Sequence, residues 1–179
     1  MPAWGQGIFR AIPSWGSGPY EVILFTDYFC GPCRRIDTKA ETLLTELLAT
    51  GQVRLTFVDV PFTRISPVYA KYYLYVVNAN ANVSYVLYVR KRLFDAAQDR
   101  RIKTEEALIA YLKENKISWT VFDEKSVFPL VNRVIKDNKI NATPTCVIKF
   151  APADQKKYVG SDEIWAALTG LQTKIKEMK

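Results

Sequence analysis

The chain is 179 residues long, enough for one domain with a substantial core and room for a subdomain set into it. Lys and Arg number 25 against 18 Asp and Glu, a formal charge of +7, and three cysteines are too few and too unevenly spaced to staple a small secreted scaffold. No apolar run spans a bilayer, because residues 72–89 are broken by Asn78, Asn80, Asn82 and Ser84. The basic residues, Arg90, Lys91, Arg92, Arg100, Arg101 and Lys103 among them, come with no nucleic-acid-binding module and read as a solvated face.

The opening MPAWGQGIFRAIPSWGSG lacks the charged and then apolar regions of a secretory signal, which leaves a cytoplasmic chain or a mature form carrying an added Met. A loop at Gly16, Ser17, Gly18 and Pro19 releases the chain into EVILFTDYF, whose continuous β-branched and aromatic residues predict a strand buried on both faces. From Cys33 onward, Ile36, Ala40, Leu43, Leu44, Leu47 and Leu48 recur at helical spacing, and Gly51 is placed to end that helix. VRLTFVDV predicts a second strand closed by Pro61, so strand, helix and strand form a βαβ unit with parallel strands and a right-handed crossover.

Helical patterns follow. Ser66 and Pro67 read as an N-cap and first-turn pair ahead of an aromatic-rich stretch at 68–77, and a second helix is predicted over 83–97. Thr104, with Glu105 and Glu106, opens a third that carries Leu108, Ile109 and Leu112 to about Asn115. A fourth, near 129–136, sets Leu130, Val131, Val134 and Ile135 in register, with Pro129 starting or kinking it. The tyrosines at 69, 72, 73, 75, 85 and 88 suit the core and rim of such a bundle, and aromatic residues there are also suited to line an apolar groove. Strand character returns at TPTCVIKF and, after a turn at 151–155, at KKYV. The last helix is predicted to begin with Ser161 as N-cap, Asp162 and Glu163 in its first turn, and Ile164, Leu168, Leu171 and Ile175 as its buried stripe.

Cys30-Gly31-Pro32-Cys33 joins the first strand to the first helix, and such a pair can bind metal, staple a fold or exchange electrons. Structural zinc needs two further soft or imidazole ligands, and the chain has no histidine and only Cys146 besides. A disulfide closing so short a loop adds little stability. Redox exchange fits best, because only a thiolate is nucleophilic and the free N–H groups and dipole of a helix N-terminus stabilise one at Cys30. Cys33, one turn on, faces inward beside it; Gly31 lets a substrate backbone approach, Pro32 has its φ set for the first turn, and Arg34 and Arg35 add positive charge. Cys30 is therefore expected to have the lower pKa and to react first, with Cys33 held protonated until it resolves the mixed disulfide. Cys146, within a strand pattern, reads as a small buried hydrophobe.

FCGPC at a strand-to-helix junction, with INATPTCVI far downstream, resembles the thioredoxin fold, an α/β class in the order β-α-β then β-β-α. The resemblance implies a cis bond at Thr143-Pro144, set against the cysteines, where the backbone holds a substrate chain in strand-like pairing beside Cys30. The long helical stretch and TDYFCGPC further resemble the DsbA family of thiol-disulfide oxidoreductases, which implies an all-helical insertion at 64–139 in a core of 1–63 and 140–179. It also implies catalytic Cys30 and Cys33 supported by Gly31, Pro32, Thr143 and Pro144, with no metal and no cofactor. Its partners would be protein thiols and disulfides of unfolded or partly folded substrates and a redox partner protein, in a periplasmic or otherwise extracytoplasmic setting.

Two departures stand out. DsbA-like proteins commonly carry Cys-Pro-His-Cys where this chain has Gly31-Pro32, and a buried carboxylate six residues before the first cysteine is here Leu24, leaving Asp27 or Asp59 as its candidate replacement through water. Rival readings from another class are a chaperone or adaptor with a vestigial pair, and a Cu(I) carrier using both thiolates.

Overall fold

The computed structural model describes residues 12–178, so the opening segment read above for a signal lies largely outside the described residues. In chain order it contains β1 (Ser14–Trp15), β2 (Tyr20–Thr26), α1 (Gly31–Ala49), β3 (Val53–Asp59), α2 (Ser66–Ala79), α3 (Val83–Gln98), α4 (Glu105–Glu114), α5 (Phe128–Asp137), β4 (Thr145–Ala151), β5 (Asp154–Val159) and α6 (Ser161–Glu177). The strands form one sheet in the order β1-β3-β2-β4-β5. β2 and β3 run parallel, as a helical crossover requires, and the remaining pairs are antiparallel.

β2 lies mid-sheet, which explains its unbroken apolar run: Val22, Ile23, Leu24 and Phe25 are all buried, alternating between two covered faces. The chain enters it through Gly16, whose φ of +77° suits glycine, and a Cβ there would collide with the carbonyl of Val53. Register sets Val22 opposite Leu55 and Ile148, Leu24 opposite Phe57 and Cys146, and Thr26 opposite Asp59, so these residues share one face. α1 buries Cys33, Ile36, Asp37, Ala40, Leu43, Leu44 and Leu47 and ends ahead of Gly51 at φ +70°. It packs against α6 on one flank and α3 on the other. The helices α2 to α5 all fall between β3 and β4 in the chain.

Both predicted serine caps are corrected. The residues before α2 and α6 are Ile65 and Gly160, and neither makes a side-chain cap bond. Ser66 and Ser161 are already helical, and their hydroxyls serve tertiary contacts: Ser66 Oγ donates to Asp27, and Ser161 Oγ donates to the Pro32 carbonyl at 2.9 Å. By contrast Thr104 caps α4 as expected, accepting the Ala107 N–H at 3.2 Å. β1, too short to show a pattern in the sequence, pairs with β3 and ties the α2–α3 turn to the sheet through Trp15 Nε1, which donates to Ala81 O at 2.8 Å.

Candidate active site

β2 ends at Thr26, a short turn follows, and Cys30 stands as N-cap of α1 with extended backbone, φ −92° and ψ 114°. Cys30 N–H closes the turn onto Asp27 O at 3.0 Å. Its sulfur does the work a capping oxygen usually does, accepting the Cys33 N–H at 3.2 Å. Cys30 and Cys33 are disulfide-bonded with their Cα atoms 5.2 Å apart. The pair is unequal: Cys33 is fully buried, Cys30 is partly exposed, and Gly31 and Pro32 between them face solvent.

Opposite them, the Thr143-Pro144 peptide is cis, as expected, and Thr143 O lies 3.4 Å from Cys30 Sγ. The disulfide sulfur has no proton to donate, so this is a contact that brings a backbone carbonyl to the reactive atom. The loop is fixed on both sides. Thr145 Oγ1 donates to Ala142 O at 2.8 Å, and Gly160 N–H donates to Pro144 O at 3.0 Å. Lys157 Nζ reaches Asn138 O and Lys139 O at the C-terminal end of α5, where a cation is favoured by the helix dipole.

A charge cluster lies on the same side of the sheet as α1. Arg90 of α3, grouped above with a solvated basic face, is fully buried, and this is a correction. Its Nε donates to Asp37 Oδ1 at 2.9 Å, Nη2 to Thr26 Oγ1 at 2.9 Å and Nη1 to Asp59 Oδ1 at 3.4 Å. The guanidinium carbon lies 4.0 Å from the ring centroid of Phe57, with Tyr28, Tyr73 and Phe94 also around it. Burial works against this charge, but Asp37, Tyr28 and Asp59 outweigh it and hold the Arg90 pKa well above its ordinary value. Burial pushes Asp59 up to about 6 despite Arg90 and the Tyr28 hydroxyl, and raises Asp37 as well. Asp37 follows Cys33 by four residues on the buried side of α1, so the cluster begins one turn behind the inner sulfur.

Leu24 is confirmed as an apolar, buried residue between Phe57 and Cys146. Of the two carboxylates considered in its place, Asp27 is committed to structure: it accepts the N–H groups of Phe29 and Phe62 and the Ser66 hydroxyl. Asp59 belongs to the Arg90 cluster. Cys146 is fully buried and burial drives its thiol pKa up, which fits a small hydrophobe. Tyr69, Tyr72, Tyr73 and Tyr75 are buried within the helical segment, whereas Tyr88 is 39% exposed.

A family model described as Thioredoxin matches residues 17–161, and the chain belongs to the thioredoxin family. No curated protein matches it. Among solved structures, a periplasmic thioredoxin-like protein from Salmonella enterica serovar Typhimurium superposes with a TM-score of 0.67 at 18% identity, covering 93% of this chain and 91% of that one. The thiol-disulfide exchange protein alpha-DsbA2 from Wolbachia pipientis gives 0.63 at 20% identity, covering 96% and 90%. The catalytic domain of Proteus mirabilis ScsC gives 0.64 at 20% identity, covering 89% and 88%. The chain thus shares the fold of these solved structures and, as a member of the thioredoxin family, carries its CxxC pair as a Cys30–Cys33 disulfide.

Proposed function

We propose that the protein is a thiol-disulfide oxidoreductase exchanging disulfides with protein substrates, with Cys30 as the attacking sulfur and Cys33 as the resolving one. The asymmetry of the pair carries the reading: Cys30 Sγ is partly exposed and accepts a helix N–H at 3.2 Å, while Cys33 is sealed from solvent. A thiolate at Cys30 gains from that N–H and from the helix dipole. It attacks a substrate disulfide, forms a mixed disulfide and releases one substrate thiolate. Cys33 then attacks Cys30 Sγ, releases the second substrate thiolate and closes the ring, passing two electrons to the substrate. The reverse sequence oxidises a substrate dithiol.

Gly31 and Pro32 leave the approach open, and Thr143 and Pro144 hold the substrate backbone alongside. In this reading, residues 64–139 are a helical unit inserted into a core of 1–63 and 140–179. Substrates are unfolded or partly folded chains, and a separate redox protein resets the pair. The periplasmic name of the Salmonella neighbour supports work outside the cytoplasm.

Cys33→Ser should accumulate mixed disulfides with substrate proteins that survive non-reducing electrophoresis, while Cys30→Ser traps few. Alkylation of the reduced protein at mildly acidic pH should label Cys30 first. Equal trapping by the two variants, or first labelling of Cys33 or Cys146, would overturn the roles.

A further inference from the structure

Two adjacent residues hold both walls of the redox site. Gly160 N–H donates to Pro144 O at 3.0 Å, and the Ser161 hydroxyl donates to Pro32 O at 2.9 Å. The first bond fixes the Thr143-Pro144 loop and the second fixes the turn between the two cysteines, so the junction of β5 and α6 bridges the gap from one side. Gly160 takes φ +89° and ψ 157°, a region essentially reserved for glycine, although a Cβ there would meet nothing within 4 Å. Conformation, and not space, requires glycine where the strand turns into the helix.

The bridge stands on a firm base. Ile164 N–H closes the first turn of α6 onto Gly160 O at 3.1 Å, and Glu163 accepts the Val159 N–H at 3.0 Å. Ile164, Leu168, Leu171 and Ile175 are buried, and α6 packs against α1, which carries Pro32. The helix does not use the Ser161 hydroxyl as a cap, and that hydroxyl is spent instead on the carbonyl of a solvent-facing residue between the cysteines.

We propose that Ser161 is a positioning residue for disulfide exchange, fixing the gap between Cys30 and Thr143 O in which a substrate backbone lies. The inference rests on the redox reading above and adds the residue that keeps the attacking sulfur aligned with a paired chain. Cys30 Sγ lies 3.4 Å from Thr143 O, so a chain paired with the loop can present its own sulfur to Cys30 only while the two walls keep their spacing. Small misplacements of reacting atoms slow such an attack. A disulfide without a peptide backbone makes no pairing with the loop and does not feel the spacing.

The test uses the reduced protein and two probes with one leaving group: 2,2′-dipyridyl disulfide, and a short uncharged peptide whose central cysteine is activated as its 2-pyridyl disulfide. With either, the Cys30 thiolate attacks a probe sulfur, forms a mixed disulfide and expels 2-thiopyridone, whose absorbance gives the rate. Cys33 then closes the ring and releases the remaining thiolate. Ser161→Ala should slow the peptide about three- to tenfold, the scale of one lost hydrogen bond, and change the dipyridyl rate less than about twofold. Ser161→Thr keeps the hydroxyl and should restore the peptide rate. Equal slowing of both probes, no slowing of the peptide, or no restoration by threonine overturns the proposal while leaving the redox function standing. If wild type reacts with neither probe faster than free glutathione does, the redox reading fails and takes this inference with it.

Discussion

Arg90 sits at a helical position shared with Val86, Leu93 and Ala97, all buried, so the apolar stripe of α3 carries one guanidinium through its middle. Asp37 holds the corresponding place on α1 between Cys33, Ile36, Ala40 and Leu44. Spacing alone would have flagged both, since a charge on a stripe of this period is buried and needs a partner. Read by residue type beside Lys91 and Arg92, Arg90 passed for one more surface cation. Removing it leaves two buried carboxylates without their counter-charge, so Arg90→Met should cost about 3–5 kcal/mol, against about 0.5 kcal/mol or less for an exposed Lys91→Met, by urea unfolding.

Asp59 adds a pH dependence. Its folded pKa of about 6 lies above the ordinary 3.8, so the folded chain holds this proton more tightly than the unfolded one. That contribution is fully present below about 4 and is lost as pH rises through about 6, and Asp37, also raised, acts in the same sense. The stability advantage of wild type over Asp59→Asn should therefore shrink from pH 4 to pH 6, by at most about 1.4 kcal/mol per pH unit. An advantage constant across that window would refute the assignment.

Among the elements, α4 and α5 end alike. Asn115-Lys116-Ile117 and Asn138-Lys139-Ile140 each place lysine at positive φ, 55° and 50°, in the position glycine usually fills. Ile117 N–H reaches back to Leu112 O at 2.9 Å and Ile140 N–H to Ile135 O at 3.0 Å, which completes the same hydrogen-bonded stop at both helices. Lysine pays a steric cost there that glycine would not, so Lys116→Gly should raise stability by up to about 1 kcal/mol in thermal or urea melts. Lys139→Gly should gain a similar amount if the carbonyl grip of Lys157 on that end is kept. Element types were legible because periods and breakers agreed: Gly51 ended α1, Thr104 capped α4 and Pro129 fell in the first turn of α5. Ser66 and Ser161 had the right chemistry for caps, but a hydroxyl at a helix start can also serve a neighbouring segment, and no local pattern separates the two uses.

At the scale of the whole molecule, one continuous apolar cluster runs from Val22, Leu55 and Ile148 of the sheet through Leu44 of α1 to Val76, Leu93 and Leu112 of the helical segment. The Arg90 contacts cross the same boundary, binding α3 to α1, β2 and β3. The helical segment and the sheet should thus unfold together. Tryptophan fluorescence, with Trp15 by the sheet and Trp119 against Tyr72 of the helices, should give the same urea midpoint as far-ultraviolet circular dichroism. Separate midpoints would show that the segment melts on its own. The fold and redox pair were readable because CGPC and Thr-Pro are short local patterns. The charge cluster joins residues far apart in sequence, so only the folded chain assembles it.

Cys146 bears on how the molecule is made. Three cysteines allow three single disulfides, and only the Cys30–Cys33 pairing leaves β4 free to settle between β2 and β5. Cys30 and Cys33 are synthesised long before Cys146, and once β4 is seated opposite Leu24 and Tyr158 the late thiol is out of reach. A chain oxidised while still unfolded has no such protection, and a bond from Cys146 to either partner would take one sulfur from the redox pair and hold the strand out of the sheet. Refolding of fully reduced, denatured protein in a glutathione redox buffer should therefore give more native product from Cys146→Ala than from wild type, and equal yields would show that strand docking outruns oxidation.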